Sequence, residues 1–413
     1  MKYRVENEES SALWFDVEEL KATQKEMIYM DNAATTYQKP ESVFRSMDEV
    51  NRCLSVNAGR GSYQLAQVAV KGIDKLRDEI LNLVNGRNQA EVVFTSSATI
   101  AFNQIIGGLT LCSQDRVYVS PFEHNAVMRT LKLWQEKCGF SMEILPMDVE
   151  KMQIDLEKTE YVFRQKPPTH VFITRVSNVT GYILPVQEIL QLAKEITDGQ
   201  AMVIVDGAQS FGLISEDYQS IPYDILVFAG HKTLYGPFGI AGFIKRKELK
   251  LHSLLAGGTG SDSLSLIMPQ NINGLEPSSP NIVAIAGLYA AVQFIKEQTP
   301  EVLYQHEKNL TEQLVKELKN ISGVKLYLPE ERDKHIGIVS FTMQDYRSDE
   351  VGMMLEESYH IAVRTGYHCA PLIHDYIKSK EHGGTVRVGL GYFNSEQDVQ
   401  QLSEAIKRIA WEG

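Results

Sequence analysis

The sequence predicts an α/β protein with a large domain on a mainly parallel sheet, followed by a smaller α+β domain. Three observations predict it. Short, unbroken apolar runs alternate with helical stretches, the pattern of strands covered on both faces. The 413 residues exceed the size at which one hydrophobic core keeps growing. The stretch "EQTPE" at 297–301 marks a hinge. Hydrophobic residues at 43% and charged residues at 23% match soluble globular proteins, which removes disordered and fibrous classes.

Residues 1–26 form an acidic lead-in, seven acids against four bases, with one amphipathic helix expected around Trp14 and Leu20. From 64 to 84, Leu65, Ala69, Ile73, Leu76, Ile80 and Val84 recur at helical spacing, and Asn85-Gly86 supplies the stop. Strands are predicted at 91–94, 116–119, 170–174, 201–205, 224–228 and 240–244. The stretch "NIVAIAGLYAAVQFI" (281–295) is shorter than the roughly 20 residues that span a bilayer, and it contains Gln293, so it reads as a buried helix. The expected domains are the lead-in at 1–26, a large domain at 27–298 and a small C-terminal domain at 299–413.

A net charge of -12 without a dense basic run argues against nucleic acid as a direct ligand. The N-terminal "MKYRVENEESS" lacks the apolar region of a secretory signal, and no membrane segment is expected. Cys53, Cys112, Cys138 and Cys369 lie far apart with no Cys-x-x-Cys pair. That spacing argues against a zinc site or a disulfide framework, and for a reducing, cytoplasmic setting. Cys112, behind "IIGGLTL", reads as a packing residue.

In open α/β sheets ligands bind beyond the carboxyl ends of the strands, and polar residues collect there. After 91–94 comes "TSSATIAFNQ", where Ser97, Ala98 and Thr99 open a helix and offer N–H groups and hydroxyls to an anion. His124 follows 116–119 and Asn178 follows 170–174. Asp206 and Gln209 follow 201–205, and His231 and Lys232 follow 224–228. Singly, the Ser-Thr run reads as a helix cap, His124 as a loop histidine and Asn178 as turn chemistry. An acid ending an apolar strand, as Asp206 does, needs a partner or solvent. An anion cradle, a buried acid, a flat imidazole and a lysine in one crevice match the needs of pyridoxal 5'-phosphate.

The segments "DNAATT" (31–36), "SSATIAFNQ", "SNVTG" (177–181), "VDGAQ" (205–209), "GHK" (230–232), "RTGYHCAP" (364–371) and "VRVGLGYFN" (386–394) together resemble the cysteine desulfurase and selenocysteine lyase group of class V aminotransferases. The resemblance implies an aspartate aminotransferase-like fold, with a seven-stranded sheet in the large domain. It implies that Lys232 joins the cofactor aldehyde, Asp206 meets the ring nitrogen and His124 stacks on the ring. Asn178 and Gln209 would meet the phenolic oxygen, while Thr99 and His231 hold the phosphate. Thr259 and Ser279 lie on the same side, Ser279 reaching across a homodimer. For substrate it implies Arg387 at the carboxylate, with Asn32, Ala33, Asn178 and Arg364 around it. Cys369 would be the nucleophile that takes sulfur from L-cysteine as a persulfide, leaving L-alanine and supplying a sulfur-acceptor protein. Selenocysteine lyase, another lyase or aminotransferase, and a degenerate scaffold remain as alternatives. The sequence departs from the pattern at Ala229, where relatives carry Ser or Thr, and at Ser278-Ser279, where they carry Gly-Thr.

Overall fold

The computed structural model describes residues 16–58, 61–221, 223–260 and 264–412. The main sheet has seven strands: β1 (Ala90–Thr95), β2 (Arg116–Val119), β3 (Ser141–Ile144), β4 (His170–Thr174), β5 (Met202–Asp206), β6 (Ile225–Ala229) and β7 (Ala241–Arg246). Their order is β1-β7-β6-β5-β4-β2-β3. β7 runs antiparallel to both neighbours, and the other pairs are parallel. The six predicted strands are all present within two residues at each end. β3 is the one the sequence did not announce. It is an edge strand with no buried residue, so it carries no apolar run.

Helix α1 (Val17–Glu26) is capped by the Asp16 carboxylate and buries no side chain; Leu20 is half exposed and Trp14 lies outside the described residues. Then come α2 (Glu41–Cys53), α3 (Gln64–Leu83), α4 (Ala98–Gly108), α5 (Asn125–Cys138), α6 (Leu156–Gln165) and α7 (Val186–Ile196). α3 ends as predicted. Asn85 takes φ +52° and the Gly86 N–H donates to the Leu81 carbonyl at 2.9 Å. The apolar stretch at 281–295 is α8 (Ile282–Gln298), capped by the Asn281 side chain and buried along Ile285, Leu288, Val292 and Ile295. Cys112 departs from expectation: it is exposed, because α4 has ended and the chain turns, with the Cys112 N–H on the Asp115 carboxylate while Leu111 fills the core.

At the predicted hinge Thr299 takes φ +66°, and α9 (Pro300–Leu318) starts on a proline whose missing N–H costs nothing there. A second sheet, all antiparallel, has the order β8 (Val324–Tyr327), β9 (Ile338–Met343), β11 (Thr385–Gly389), β10 (Arg364–Gly366). It packs with α9, α10 (Ser348–Tyr359) and α11 (Glu396–Glu412) around its own core of Leu314, Val339, Phe341, Leu355, Val386 and Ile406. The chain's early residues join this unit. Ile28–Tyr29 pairs with Ile361–Ala362, Met30 enters the second core and Asp31 bridges Gly389.

Candidate active site

A cavity of about 220 Å³ lies where β4, β5 and β6 end. Its floor is Asp206, buried, with Oδ1 accepting the Ala208 N–H at 2.9 Å. Burial raises this carboxyl, while the Ala208 N–H and the Lys232 charge oppose the rise. Lys232, in the turn after β6, is lowered to about 8 by loss of hydration, helped by Arg387 and Arg364 and opposed by Asp206. His124 caps α5, its Nδ1 accepting the Ala126 N–H at 3.0 Å. Burial, then Lys232, lowers this ring to about 3, so it is neutral with its proton on Nε2.

The anion side is built from Ser97, Ala98 and Thr99 in the first turn of α4, with Ala229 and His231 beside them. Ser97 Oγ accepts the Ile100 N–H at 3.3 Å, which leaves earlier N–H groups of that turn free of intrahelical partners. His231 stacks on Phe238 with ring centroids 4.7 Å apart, and its Nδ1 is buried without a protein partner.

The opposite wall comes from the second sheet. Arg364 and Arg387 stand opposite each other on β10 and β11. Arg387 is buried; Nη1 donates to the Asn178 carbonyl at 3.0 Å and Nη2 to Asp31 Oδ1 at 2.6 Å. Its Nε has no partner. Cys369, half-buried, places Sγ 3.9 Å from Arg364 Nη2. The thiol sits on a strained loop, since His368 and Cys369 take φ +48° and +57°. Several bonds hold that loop, among them three from outside it to His368 and Cys369. Asn178 Nδ2 donates to the His368 carbonyl at 2.6 Å, the Asn125 N–H to the Cys369 carbonyl at 2.6 Å, and His368 Nε2 contacts Thr385 Oγ1 at 2.8 Å. The His368 ring is thus engaged with Thr385, and burial keeps it well below the ordinary histidine range.

The cavity thus gathers Ala33, Ser97, Ala98, Thr99, His124, Asn178, Asp206, Gln209, His231, Lys232, Arg364, Cys369 and Arg387. It does not include Asn32, whose amide donates to Gly389 O and Asn394 Oδ1. Gln209 spends one N–H on the Ala33 carbonyl at 2.7 Å. Thr259 and Ser279 also lie off this cavity, close together because the Ser278 N–H donates to the Gly258 carbonyl at 2.7 Å. Two partners escaped the sequence reading. One is Asp31 behind Arg387; the other is Glu123, buried beside His124 and accepting the Ser120 hydroxyl and the Thr174 N–H. Glu123 could have been suspected as an acid in an apolar loop. A larger groove of about 640 Å³ between α1 and α11 holds none of the predicted site residues except Asn32. Among the described residues no cluster of metal-ligating side chains exists, and no helix is long and apolar enough to cross a membrane.

The pattern of the class-V aminotransferase family matches residues 28–402. A probable cysteine desulfurase of Methanothermobacter thermautotrophicus is 29% identical over 396 residues, covering 94% of this chain and 96% of the relative. One of Pyrococcus abyssi is 30% identical over 398 residues, 93% of this chain and 96% of its own length. The solved apo cysteine desulfurase of Thermococcus onnurineus NA1 is similar with a TM-score of 0.87 and 26% identity, over 97% of this chain and 100% of that one. With the fold, the cavity and these matches in agreement, the chain belongs to the class-V aminotransferase family.

Proposed function

We propose that this chain is a cysteine desulfurase, converting L-cysteine to L-alanine and leaving the sulfur as a persulfide on Cys369. One observation carries the reading: the Cys369 loop is tied by Asn125 and Asn178 into the cavity that also contains Lys232 and Asp206. The names of the relatives support it.

The family depends on pyridoxal 5'-phosphate, and the residues present fit that cofactor. The partnerless Nδ1 of His231, the open first turn of α4 and the buried Asp206 are the features it requires. Ser97, Ala98, Thr99 and His231 would hold its phosphate. Asp206 would meet its ring nitrogen, His124 its face, Asn178 and Gln209 its phenolic oxygen, and Lys232 its aldehyde. When bound it supplies an electron sink for bond cleavage at the substrate.

The chain's own groups do the rest. Lys232, lowered to about 8, holds or releases a proton at Nζ near neutral pH. Arg387 presents a planar fork to the substrate carboxylate, oriented by Asp31 and the Asn178 carbonyl. Neutral His124 donates from Nε2. Arg364 Nη2 stands 3.9 Å from Cys369 Sγ, the attacking atom. The thiolate attacks the substrate sulfur: an S–S bond forms, the substrate Cβ–S bond breaks and Cβ takes a proton. L-Cysteine and the Cys369 thiol become L-alanine and the Cys369 persulfide, with atoms and electrons balanced.

Three finer readings go with this one. The large domain ends near 298 and the small one begins at 299. The working form is a homodimer in which Ser279 and Thr259 complete a partner's phosphate side. Exposed Phe238, Leu264, Leu266 and Ile267 nearby support it. The setting is a reducing cytoplasm, where a sulfur-acceptor protein relieves Cys369.

The test is mass spectrometry of cofactor-loaded protein after exposure to L-cysteine. The Cys369 peptide should gain one sulfur while alanine is released, and Cys369→Ser should lose both. Alanine release that survives in Cys369→Ser would point to direct elimination and defeat the reading.

A further inference from the structure

Glu307 on α9 is buried, and among the described residues no cation pairs with it. Burial pushes its carboxyl up to about 8. A buried acid without a counter-ion is expensive, and a hydrophobic side chain would fill the same space. The carboxyl has one well-defined task. Its Oε1 accepts the Tyr235 hydroxyl at 3.2 Å, and that same hydroxyl accepts the Tyr392 N–H at 2.8 Å.

Tyr235 is itself held in an unfavourable backbone. It is buried with φ +57°, and its N–H donates to the Lys232 carbonyl at 2.8 Å, closing the turn that presents Lys232. Tyr392 lies three residues beyond β11, the strand of Arg387. One hydroxyl therefore joins three segments: the Lys232 turn, α9 and the chain leaving β11. Phe294 and Phe393 meet the Tyr235 ring edge-on at 5.8 and 6.0 Å, which fixes its direction. A small cavity of about 20 Å³ lies beside the contact, and Gln209 and Ala33 line both it and the larger site. The contact is one layer of side chains behind the chemistry.

We propose that Glu307 is a positioning residue for Lys232: through the Tyr235 hydroxyl it locks the 232–235 turn against the unit that carries Arg387 and Cys369. The inference rests on the reading of Lys232 as the residue that joins the cofactor. A purely structural acid would set stability and leave the lysine's behaviour alone.

The test uses full-length protein loaded with pyridoxal 5'-phosphate, as wild type, Glu307→Gln, Glu307→Leu, Tyr235→Phe and the Glu307→Leu/Tyr235→Phe double variant. Borohydride reduction followed by peptide mapping should first place a pyridoxyl group on Lys232 of the wild type. Its absence overturns the functional reading and this inference with it. With the label in place, the measured quantity is the pH midpoint of the bound cofactor's absorbance change. Coupling energies between contacting residues of the usual size correspond to a displacement of about half a pH unit or more. Glu307→Leu and Tyr235→Phe should each show it, and the double variant should go no further than the larger single. Glu307→Gln, which keeps an acceptor oxygen, should return to the wild-type midpoint. Unmoved midpoints, additive shifts in the double variant or a Gln variant displaced like Leu would each overturn the inference and leave the desulfurase reading standing. Should Glu307→Leu not fold, Tyr235→Phe and Glu307→Gln decide alone, since each alters only one group.

Discussion

Ser278 takes φ +90°, a conformation that only glycine adopts freely, and it does so where the resemblance leads one to expect glycine. Strain of order 1–3 kcal/mol at such a residue outweighs the roughly 0.5–1 kcal/mol of chain entropy that glycine loses on folding. Ser278→Gly should therefore stabilise the protein by about 1 kcal/mol, read as a raised urea midpoint; a lowered midpoint would mean the serine side chain is holding something. Ala229, the other departure, lies in the cavity wall beside His231. A serine there adds a hydroxyl on the anion side. A hydrogen bond to a charged group contributes roughly 1.5–3 kcal/mol, so Ala229→Ser should tighten cofactor binding about tenfold or more. Equilibrium dialysis returning an unchanged or larger Kd would refute this.

At the scale of elements, the cysteine loop is the instructive case. Its own sequence, with two successive non-glycine residues in the left-handed region, disfavours the shape it holds. The shape persists because the Asn178 side chain and the Asn125 N–H bind two consecutive carbonyls. Asn178→Ala leaves a buried carbonyl without its donor, a loss of about 1–3 kcal/mol. Amide exchange across 367–370 should then accelerate roughly tenfold in cofactor-free protein, with the strands of the main sheet unchanged. Equal exchange in variant and wild type would show that the loop is held by other means. Gly181, in the same turn as Asn178, has φ +67°, and a Cβ there would stand 2.5 Å from the Ile338 carbonyl. The turn that carries Asn178 thus requires glycine where it meets the second sheet.

For the whole molecule, buried acids set the response to pH. Glu307 ionises near 4.5 when unfolded and near 8 when folded. Between those values the unfolded state has released its proton while the native state retains it, so this group's contribution to stability falls as pH rises through that window. Glu307→Gln removes the contribution. The variant's denaturation midpoint, relative to wild type, should therefore rise from pH 4.5 to pH 8; a constant difference would contradict the assignment. Association is the second whole-molecule property. Light scattering should give twice the chain mass, and Leu266→Asp with Ile267→Asp should shift it toward the monomer. A wild-type protein that is monomeric at micromolar concentration would remove the proposed dimer.

Much of this was legible in the residues. Six strands of the main sheet and the long helices α3 and α8 follow from periodicity, caps and breakers, because each is a local property of the chain. So were Asp206, His124, His231 and Lys232, since the carboxyl end of a parallel strand is where such groups serve a ligand. β3 was not, because an exposed edge strand needs no apolar signature. Asp31 behind Arg387, and Glu307 reaching Tyr235 from α9, were not visible either, as each pair is far apart in sequence. The sequence by itself determined which chemical groups the site could contain. Only the tertiary structure decided which of them share one cavity, because that depends on contacts between residues far apart in the chain, such as Asn178 with His368 and Asp31 with Arg387, which local pattern does not encode.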